Sequence, residues 1–272
     1  MSEDRLRADA ALAKRGLAPS REKARALIMA GLATINGAPI DKPAQRVADG
    51  DILAVIGAAH PYVSRGGLKL EKALRVFGVS PDGLVCMDIG ASTGGFTDVL
   101  LQNGAQRVYA IDVGSGQLDA GLAADPRVTV MERTNARALS PDMFDAPPAL
   151  GVMDVSFISI RLILPAALGV LGGSGRMICL VKPQFEAGRT AVGKHGVVSR
   201  PEAHAKVLRE IVDFVPALGW QVRALDYSPI SGGDGNIEFL ADMVPERRCD
   251  ARVSPGLIDE LVRCANSAVL MK

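Results

Sequence analysis

Aromatic residues, cysteines and long apolar runs are all scarce in this sequence. Aromatic residues make up 4% of the 272 residues, and the two longest uncharged stretches, 26–40 and 162–175, have 15 and 14 residues and are both interrupted by proline and glycine. A membrane-spanning helix needs roughly 20 apolar residues. We therefore expect no membrane span and no membrane partner.

The cysteines are four in number and far apart: Cys86, Cys179, Cys249 and Cys264. They form no C-x-x-C pair, so we expect reduced thiols and no metal site. The N-terminal stretch MSEDRLRADA has no signal-peptide features, and we expect a cytoplasmic protein. The net charge is only +1, so any nucleic-acid site must be a local basic patch.

A glycine-rich turn follows a short apolar run at residues 84–96, LVCMDIGASTGGF. Asp88 stands immediately before the turn, and a helix is predicted from Phe96 to Asn103. Strand, glycine turn and helix make the nucleotide-binding corner of a doubly wound α/β sheet. An acid at this point disfavours a phosphate and favours a cationic ligand, which indicates S-adenosylmethionine. The alternative is a tight turn that binds no ligand.

A second acid, Asp112, ends the next predicted strand, 107–111, and lies 22 residues after Gly90. In nucleotide-binding sheets an acid about 20 residues after the glycines holds the ribose hydroxyls. Asp112 could equally cap the helix that follows it.

Strand and helix patterns alternate through the second part of the chain, with further strands predicted at 128–131, 150–153 and 177–181 and helices at 158–170 and 202–217. The alternation predicts an α/β fold, a Rossmann-like parallel sheet covered on both faces, preceded by a small α+β domain. Ligands bind at the carboxyl ends of such strands. Five polar residues fall at predicted strand ends: Asp88, Asp112, Asn135, Asp154 and Lys182. We expect domains at 1–59 and 60–244, and a C-terminal tail, 245–272, with a helix over 256–270.

In the first domain the pattern predicts a helix from Leu6 to Arg15 and a turn at Asn36-Gly37. Its first 25 residues carry seven basic and four acidic side chains, a local charge of +3. This pattern is typical of a phosphate-contacting patch or of a solvated helix face. The order of residues, from Arg5-Leu6 through Arg15-Gly16-Leu17 and Asn36-Gly37 to Gly50-Asp51-Ile52, resembles the small RNA-binding domain of ribosomal protein S-four. That resemblance implies that the second helix and the following turn face RNA.

The second domain resembles the FtsJ-type RNA 2′-O-methyltransferases, and the whole chain resembles the TlyA family of ribosomal-RNA methyltransferases, whose members often carry the name haemolysin. The matching stretches are YVSRGGLKL (62–70), DIGASTGGFTD (88–98), DVG (112–114), ERTNAR (132–137), DVSFIS (154–159), VKPQFE (181–186), SPI (228–230) and GNIEFL (235–240). Ser115 stands where the family often has a larger residue.

The resemblance implies three sets of site residues. The catalytic set is Lys69, Asp154, Lys182 and Glu238. The S-adenosylmethionine-binding set is Asp88, Gly90, Ala91, Ser92, Thr93, Gly94, Gly95, Phe96, Asp112, Asn135 and Asp154, with Asn135 at the adenine. The RNA-binding set is Arg5, Arg15, Arg21, Lys23, Arg25, Arg65, Arg189 and Lys194. The implied reaction is 2′-O-methylation of ribose, on a cytidine, in ribosomal RNA of the small or large subunit.

The catalytic set also fits the chemistry. A ribose hydroxyl group must lose its proton as its oxygen attacks a methyl group, and a neutral lysine amine can accept that proton. We interpret Lys182 as this base, Lys69 as a neighbouring cation, and Asp154 and Glu238 as the acids that position Lys182. The loop 183–201 is basic and is expected to close over the target nucleotide, and Tyr62, Phe96, Phe157 and Phe185 are candidates for stacking on its base.

Other readings remain open. A pseudouridine synthase can carry the same N-terminal module, but it would not need the methyltransferase corner. A membrane-acting haemolysin and a catalytically inactive RNA-binding protein are further alternatives.

Overall fold

The computed structural model describes residues 5–18, 20–29, 31–55, 60–193, 196–232, 235–249 and 251–270. The chain divides into two compact units, Met1–Pro61 and Tyr62–Lys272, each with its own apolar core. The predicted boundaries after residues 59 and 244 stay predictions.

The first unit contains short strands and two helices among its described residues. In chain order they are β1 (Leu6–Arg7), α1 (Ala8–Lys14), α2 (Arg21–Met29), β2 (Ala33–Ile35), β3 (Ala38–Pro39), β4 (Arg46–Val47) and β5 (Leu53–Val55). The predicted turn at Asn36-Gly37 is confirmed, since both residues have positive φ and join β2 to β3 as a two-residue hairpin. The first helix begins at Ala8 rather than Leu6, because Leu6 and Arg7 pair with β4.

The second unit is built around one sheet. Its strands are β6 (Val85–Ile89), β7 (Arg107–Ile111), β8 (Val128–Met131), β9 (Leu150–Met153), β10 (Arg176–Val181), β11 (Trp220–Tyr227) and β12 (Phe239–Pro245). Its α-helices are α3 (Gly67–Phe77), α4 (Gly95–Gln102), α5 (Ala120–Ala123), α6 (Leu164–Leu171), α7 (Pro183–Glu186), α8 (Pro201–Phe214) and α9 (Pro255–Leu270). The described 3₁₀ helices are Ala136–Ala138, Pro141–Met143, Ile160–Leu162, Gly172–Ser174, Arg189–Ala191, Val215–Leu218 and Glu246–Arg248.

The strand order in this sheet is β11-β12-β10-β9-β6-β7-β8. Neighbours from β10 to β8 run parallel, whereas β12 is antiparallel to both β10 and β11. The chain leaves β6 toward β7 on one side and later returns to β9 on the other. The sheet therefore has its topological switch point between β6 and β9, where doubly wound folds bind ligands. The predicted Rossmann-like α/β fold is confirmed.

Both faces of the sheet are covered, as a parallel sheet requires. Successive side chains of β10 alternate between two apolar layers: Met177, Cys179 and Val181 on one face, Ile178 and Leu180 on the other. Residues of α6, α8 and α9 pack in the first layer, and residues of α3 and α4 pack in the second.

Two predicted helices differ from the observed ones for local reasons. In place of one helix from Ile158 to Val170, Ser159 caps the 3₁₀ turn Ile160–Leu162, and α6 starts just before Pro165. Helix α8 ends at Phe214 and continues as a 3₁₀ turn that contains Pro216, because proline cannot donate the next helical hydrogen bond.

Candidate active site

The loops that follow β6 and β9 meet at the switch point. Gly90 has φ +84°, and a Cβ atom placed on it would lie 2.6 Å from the carbonyl oxygen of Asp154. The backbone N–H of Asp154 donates to the carbonyl oxygen of Ile89 at 3.0 Å. A side chain at position 90 would therefore push apart the glycine turn and the segment that carries Asp154, so glycine is required here.

Asp112 fastens the glycine turn to the end of β7. Its carboxylate accepts the backbone N–H of Ser92 and that of Gly114, both at 2.8 Å. Asp112 is half-buried and Ser92 is exposed, so the same carboxylate retains lone pairs on the open side. The alternative role as a helix cap belongs instead to Asp119, which accepts from the N–H of Gly121 at the start of α5.

Asp88 is fully buried inside β6, and this corrects the expectation of direct contact with a cationic ligand. Its Oδ2 accepts the hydroxyl proton of Thr97 at 2.7 Å. Burial raises the pKa of the carboxyl group to about 7, against the effect of that hydrogen bond. Asp88 therefore joins the end of β6 to helix α4 from beneath the turn. Thr97 was not predicted as a site residue.

The remaining residues of the cofactor-binding set divide by burial. Ala91, Gly94, Gly95 and Phe96 are buried, whereas Gly90 and Thr93 are half-buried. Asn135 is exposed, and its Oδ1 caps the 3₁₀ turn Ala136–Ala138 by accepting the N–H of Arg137 at 3.1 Å. The neighbouring Thr134 donates its N–H to the carbonyl oxygen of Asp112, which brings Asn135 near the turn.

The four residues of the catalytic set lie together in one row of ion pairs. Lys182 Nζ is 2.6 Å from Asp154 Oδ1, Lys69 Nζ is 3.7 Å from Asp154 Oδ2, and Lys69 Nζ is 2.6 Å from Glu238 Oε2. The order along the row is Lys182, Asp154, Lys69, Glu238. Glu238 therefore pairs with Lys69 and is connected to Lys182 through Lys69 and Asp154, and its role in positioning Lys182 stays a prediction.

The row lies at the carboxyl edge of the sheet and is mostly buried. The side chain of Glu238 is 2% exposed and that of Lys182 9%, whereas Asp154, at 19%, is the most open of the four. Lys69 comes from α3, and Asp154 and Lys182 directly follow β9 and β10. A small polar group that approaches this edge meets a rigid set of alternating charges.

Ser156 is a site residue that sequence reasoning missed. Lys182 Nζ donates a hydrogen bond to its Oγ at 2.7 Å, and the serine is exposed. The signal available in the sequence was its place in the matched stretch 154–159.

Of the four aromatic candidates, Phe157 is the exposed one. Tyr62 and Phe96 are buried, and Phe185 is half-buried. Phe157 is 90% exposed with φ +65°, a backbone conformation that non-glycine residues rarely adopt, and its ring lies 5.3 Å from that of Phe185. This solvent-facing ring stands three residues after Asp154.

The loops after β9 and β10 are joined by Glu186. This buried carboxylate accepts from Ser159 Oγ at 2.6 Å and from the N–H of Ile160 at 2.8 Å, and burial raises its pKa. Arg161 forms an ion pair with it at 3.4 Å. The segment that carries Ser156 and Phe157 is thereby fixed to the segment that follows Lys182.

The end of the predicted closing loop is anchored. The N–H of Val198 donates to Asn236 Oδ1 at 3.0 Å, and the carbonyl oxygen of Val198 contacts Nε2 of buried His204 at 2.7 Å. Burial lowers the pKa of His204. Lys194 and His195 lie outside the described residues, and Arg189 begins a 3₁₀ turn. Closure of the rest of the loop stays a prediction.

The predicted RNA-binding cations of the first unit differ in what they contact. The guanidinium group of Arg15 donates to backbone carbonyl oxygens of Asp51, Ala48 and Asp49 at 2.6, 3.0 and 3.2 Å, so its donors are engaged within the unit, and its assignment as a phosphate contact stays a prediction. Arg21 lies 3.3 Å from buried Asp9, which Arg7 also contacts. The exposed residues of the set, in either unit, are Arg5, Arg15, Arg21, Lys23, Arg25 and Arg65.

The described residues contain neither a metal-binding cluster nor a membrane-spanning helix. Within the described ranges no group of three or more His, Cys, Asp or Glu side chains is arranged to hold a metal ion. In the same part of the chain no helix is both long enough and apolar enough to cross a bilayer.

Comparison with known proteins identifies a family for each of the two units. The FtsJ-like methyltransferase family matches residues 62–243, and the S4 domain family matches residues 6–53. YqxC of Bacillus subtilis, named for rRNA methyltransferase activity, is 52% identical over 242 residues, which are 88% of this chain and 86% of YqxC.

Two further relatives match a similar or larger share of this chain. The 16S/23S rRNA (cytidine-2′-O)-methyltransferase TlyA of Mycobacterium tuberculosis is 46% identical over 87% of this chain and 88% of its own length. The solved structure of a Streptococcus thermophilus protein titled as a hemolysin is 46% identical, covers 99% of this chain and 98% of its own, and superposes with a TM-score of 0.79. The chain belongs to the TlyA family of FtsJ-like methyltransferases, which join an S4 domain to the methyltransferase unit.

Proposed function

We propose that this protein transfers a methyl group from S-adenosylmethionine to the ribose 2′-hydroxyl group of a cytidine in ribosomal RNA. The observation that carries the proposal is the row Lys182–Asp154–Lys69–Glu238 beside the glycine turn. The TlyA relative from Mycobacterium tuberculosis is named for this reaction on 16S and 23S rRNA, and the chain aligns with it over most of its length.

The corner between β6 and β7 fits S-adenosylmethionine. Gly90 and Gly94 adopt positive φ angles, which bring the backbone close to a ligand, and the carboxylate of Asp112 faces outward from between two N–H donors. In this assignment Gly90, Ser92, Gly94 and Gly95 line the cofactor, Asp112 holds the ribose hydroxyls, and Asn135 meets the adenine. When bound, S-adenosylmethionine supplies an electrophilic methyl group on a sulfonium ion.

The chain's own residues then hold the target sugar and move its proton. Lys182 accepts the proton of the 2′-hydroxyl group, Asp154 keeps the amine in place, and Lys69 with Glu238 completes the row. Alignment contributes much of the acceleration, because oxygen, methyl carbon and sulfur must lie in line. Phe157 offers an exposed ring on which a splayed-out base can stack.

The first unit supplies the basic surface that positions RNA. Phosphate contacts from exposed cations such as Lys23 and Arg25 orient the RNA without reading its bases. Recognition then depends on the shape of folded RNA.

The deciding experiment maps 2′-O-methyl groups in ribosomal RNA from cells with and without the gene. We expect loss of methylation at a cytidine, restored by the wild-type gene and not by the Lys182→Ala variant. Identical maps in the two strains would refute the proposal.

The cofactor site has its own test by calorimetry on the purified protein. Asp112→Ala should weaken S-adenosylmethionine binding by about 1–3 kcal/mol, through loss of charge-assisted hydrogen bonds. Asp145→Ala is the matched control, because Asp145 is 91% exposed and its ion pair is with Arg107, at the opposite edge of the sheet. Equal affinities in the two variants would refute the assignment of Asp112.

A further inference from the structure

Two oxygen atoms of one loop lie beside the amine of Lys182. Its Nζ forms an ion pair with Asp154 Oδ1 at 2.6 Å, without the angles of a hydrogen bond, and donates a hydrogen bond to Ser156 Oγ at 2.7 Å. Asp154 and Ser156 are two residues apart after β9. The side chain of Lys182 is 9% exposed, so its amine has little freedom to choose other partners.

The geometry of an amine makes the second acceptor important. Besides its bond to carbon, the nitrogen has three positions, which in the neutral amine hold two N–H groups and one lone pair. The negative charge of Asp154 attracts one N–H group, and the hydroxyl oxygen of Ser156 accepts the other, as it accepts from Lys182 in the structure. The lone pair is then left in the third position.

We propose that Ser156 is a positioning residue that aims the lone pair of Lys182 at the target hydroxyl group. The proposal rests on the proposed function, in which Lys182 is the base. With the ion pair to Asp154 alone, rotation about the Cε–Nζ bond places either an N–H group or the lone pair toward the substrate. Ser156 removes that choice, and its hydroxyl hydrogen stays available for solvent or RNA.

The loop that carries Ser156 is held independently of its hydroxyl group. Phe157 packs on Phe185, and Glu186 accepts from Ser159 Oγ and from the N–H of Ile160. Because these contacts fix the loop on the far side of Ser156, removing one exposed hydroxyl group leaves the backbone in place. A change in activity then reports on the amine rather than on the fold.

The kinetic test compares Ser156→Ala and Ser156→Thr with wild type on ribosomal RNA. We expect Ser156→Ala to lower kcat by about 5- to 30-fold, the effect of losing one hydrogen bond to a charged or polar partner, with KM for RNA and affinity for S-adenosylmethionine within twofold of wild type. Ser156→Thr keeps the hydroxyl group and should restore most of kcat. Ser80→Ala is the control, since Ser80 is an exposed serine on the loop before the amino end of β6, whereas the ion-pair row lies at the carboxyl edge of the sheet.

Two kinetic outcomes would overturn the proposal. One is a Ser156→Ala enzyme with kcat within twofold of wild type. The other is a slow Ser156→Thr enzyme, which would mean that side-chain size, not the hydroxyl group, matters at this position.

A second measurement does not depend on turnover. In protein with ¹⁵N-labelled lysine, the Nζ signal of Lys182, identified by its absence in Lys182→Arg, should shift and exchange faster with water in Ser156→Ala. An unchanged signal would overturn the proposal. Absence of RNA methylation by the wild-type enzyme would instead count against the proposed function, while this spectrum still decides the contact.

Discussion

The buried carboxyl group of Asp88 should make the free energy of unfolding depend on pH, and one substitution can measure its contribution. Burial raises its pKa to about 7, from an ordinary value of about 3.9. Because the folded-state pKa is the higher one, the contribution of this group to stability is fully present below pH 4 and is lost as pH rises toward 7. A difference of about 3 pKa units corresponds to about 4 kcal/mol, of which roughly 3 kcal/mol is lost between pH 5 and pH 8.

Asp88→Asn imitates the protonated acid. Asparagine keeps an oxygen for the hydroxyl group of Thr97 and cannot ionise. The assay is urea unfolding at pH 5 and pH 8, followed by fluorescence of Trp220, the single tryptophan, which is buried in the second unit. Relative to wild type, the variant should gain roughly 3 kcal/mol in the free energy of unfolding between the two pH values.

The difference in free energy of unfolding between variant and wild type does not include groups that titrate alike in both proteins, because their contributions cancel. Glu186, whose pKa is also raised by burial, is such a group. An equal difference between variant and wild type at pH 5 and pH 8 would refute the reasoning. It would mean that the carboxyl group of Asp88 stays in one protonation state across that range.

Four further predictions concern activity and RNA binding. Lys182→Ala should abolish methylation with cofactor affinity retained, and Lys182→Arg should not rescue it, because arginine stays protonated; an active arginine variant would contradict a neutral-lysine mechanism. Asp154→Asn should lower kcat more than Glu238→Gln, since Asp154 pairs with both lysines; a larger loss of kcat in Glu238→Gln would contradict the importance of this shared ion pair. Arg25→Ala should reduce the salt slope of RNA binding by about one unit, whereas Arg15→Ala should mainly lower the melting temperature of the first unit; swapped effects would refute this division. Phe157→Ala should raise KM for RNA and leave cofactor affinity unchanged in calorimetry, and an unchanged KM would exclude stacking on its ring.

Strands and strand ends could be predicted because buried parallel strands read as short apolar runs. The predicted strands 107–111, 128–131 and 150–153 coincide with the observed ones. Asp112, Asp154 and Lys182 directly follow their strands, and the parallel order of the sheet brings those ends to one edge. Local pattern alone was therefore enough to predict that these three side chains lie at one edge of the sheet.

Contacts between distant residues could not be predicted in the same way. Lys69 and Lys72 lie one helical turn apart on α3, yet Lys69 pairs with Glu238, whereas Lys72 contacts Asp226 and the carbonyl oxygen of Tyr227. Spacing does not separate these two lysines, and only the family resemblance selected Lys69. Arg15 shows the same limit, because a basic residue in a basic segment gives no sign that carbonyl groups more than 30 residues away will bind it.

In the proposed mechanism, the order of the ion pairs gives the four residues of the row different tasks. With both lysines protonated the row has no net charge; with Lys182 neutral it has a net charge of −1. A buried net charge is costly, so a proton taken from the ribose hydroxyl group returns the row to neutrality. Glu238, 2% exposed, contributes through this balance by compensating Lys69, although its ion pair is not with Lys182. Asp154 is shared by both lysines and therefore also fixes their geometry, which is why its loss should cost more.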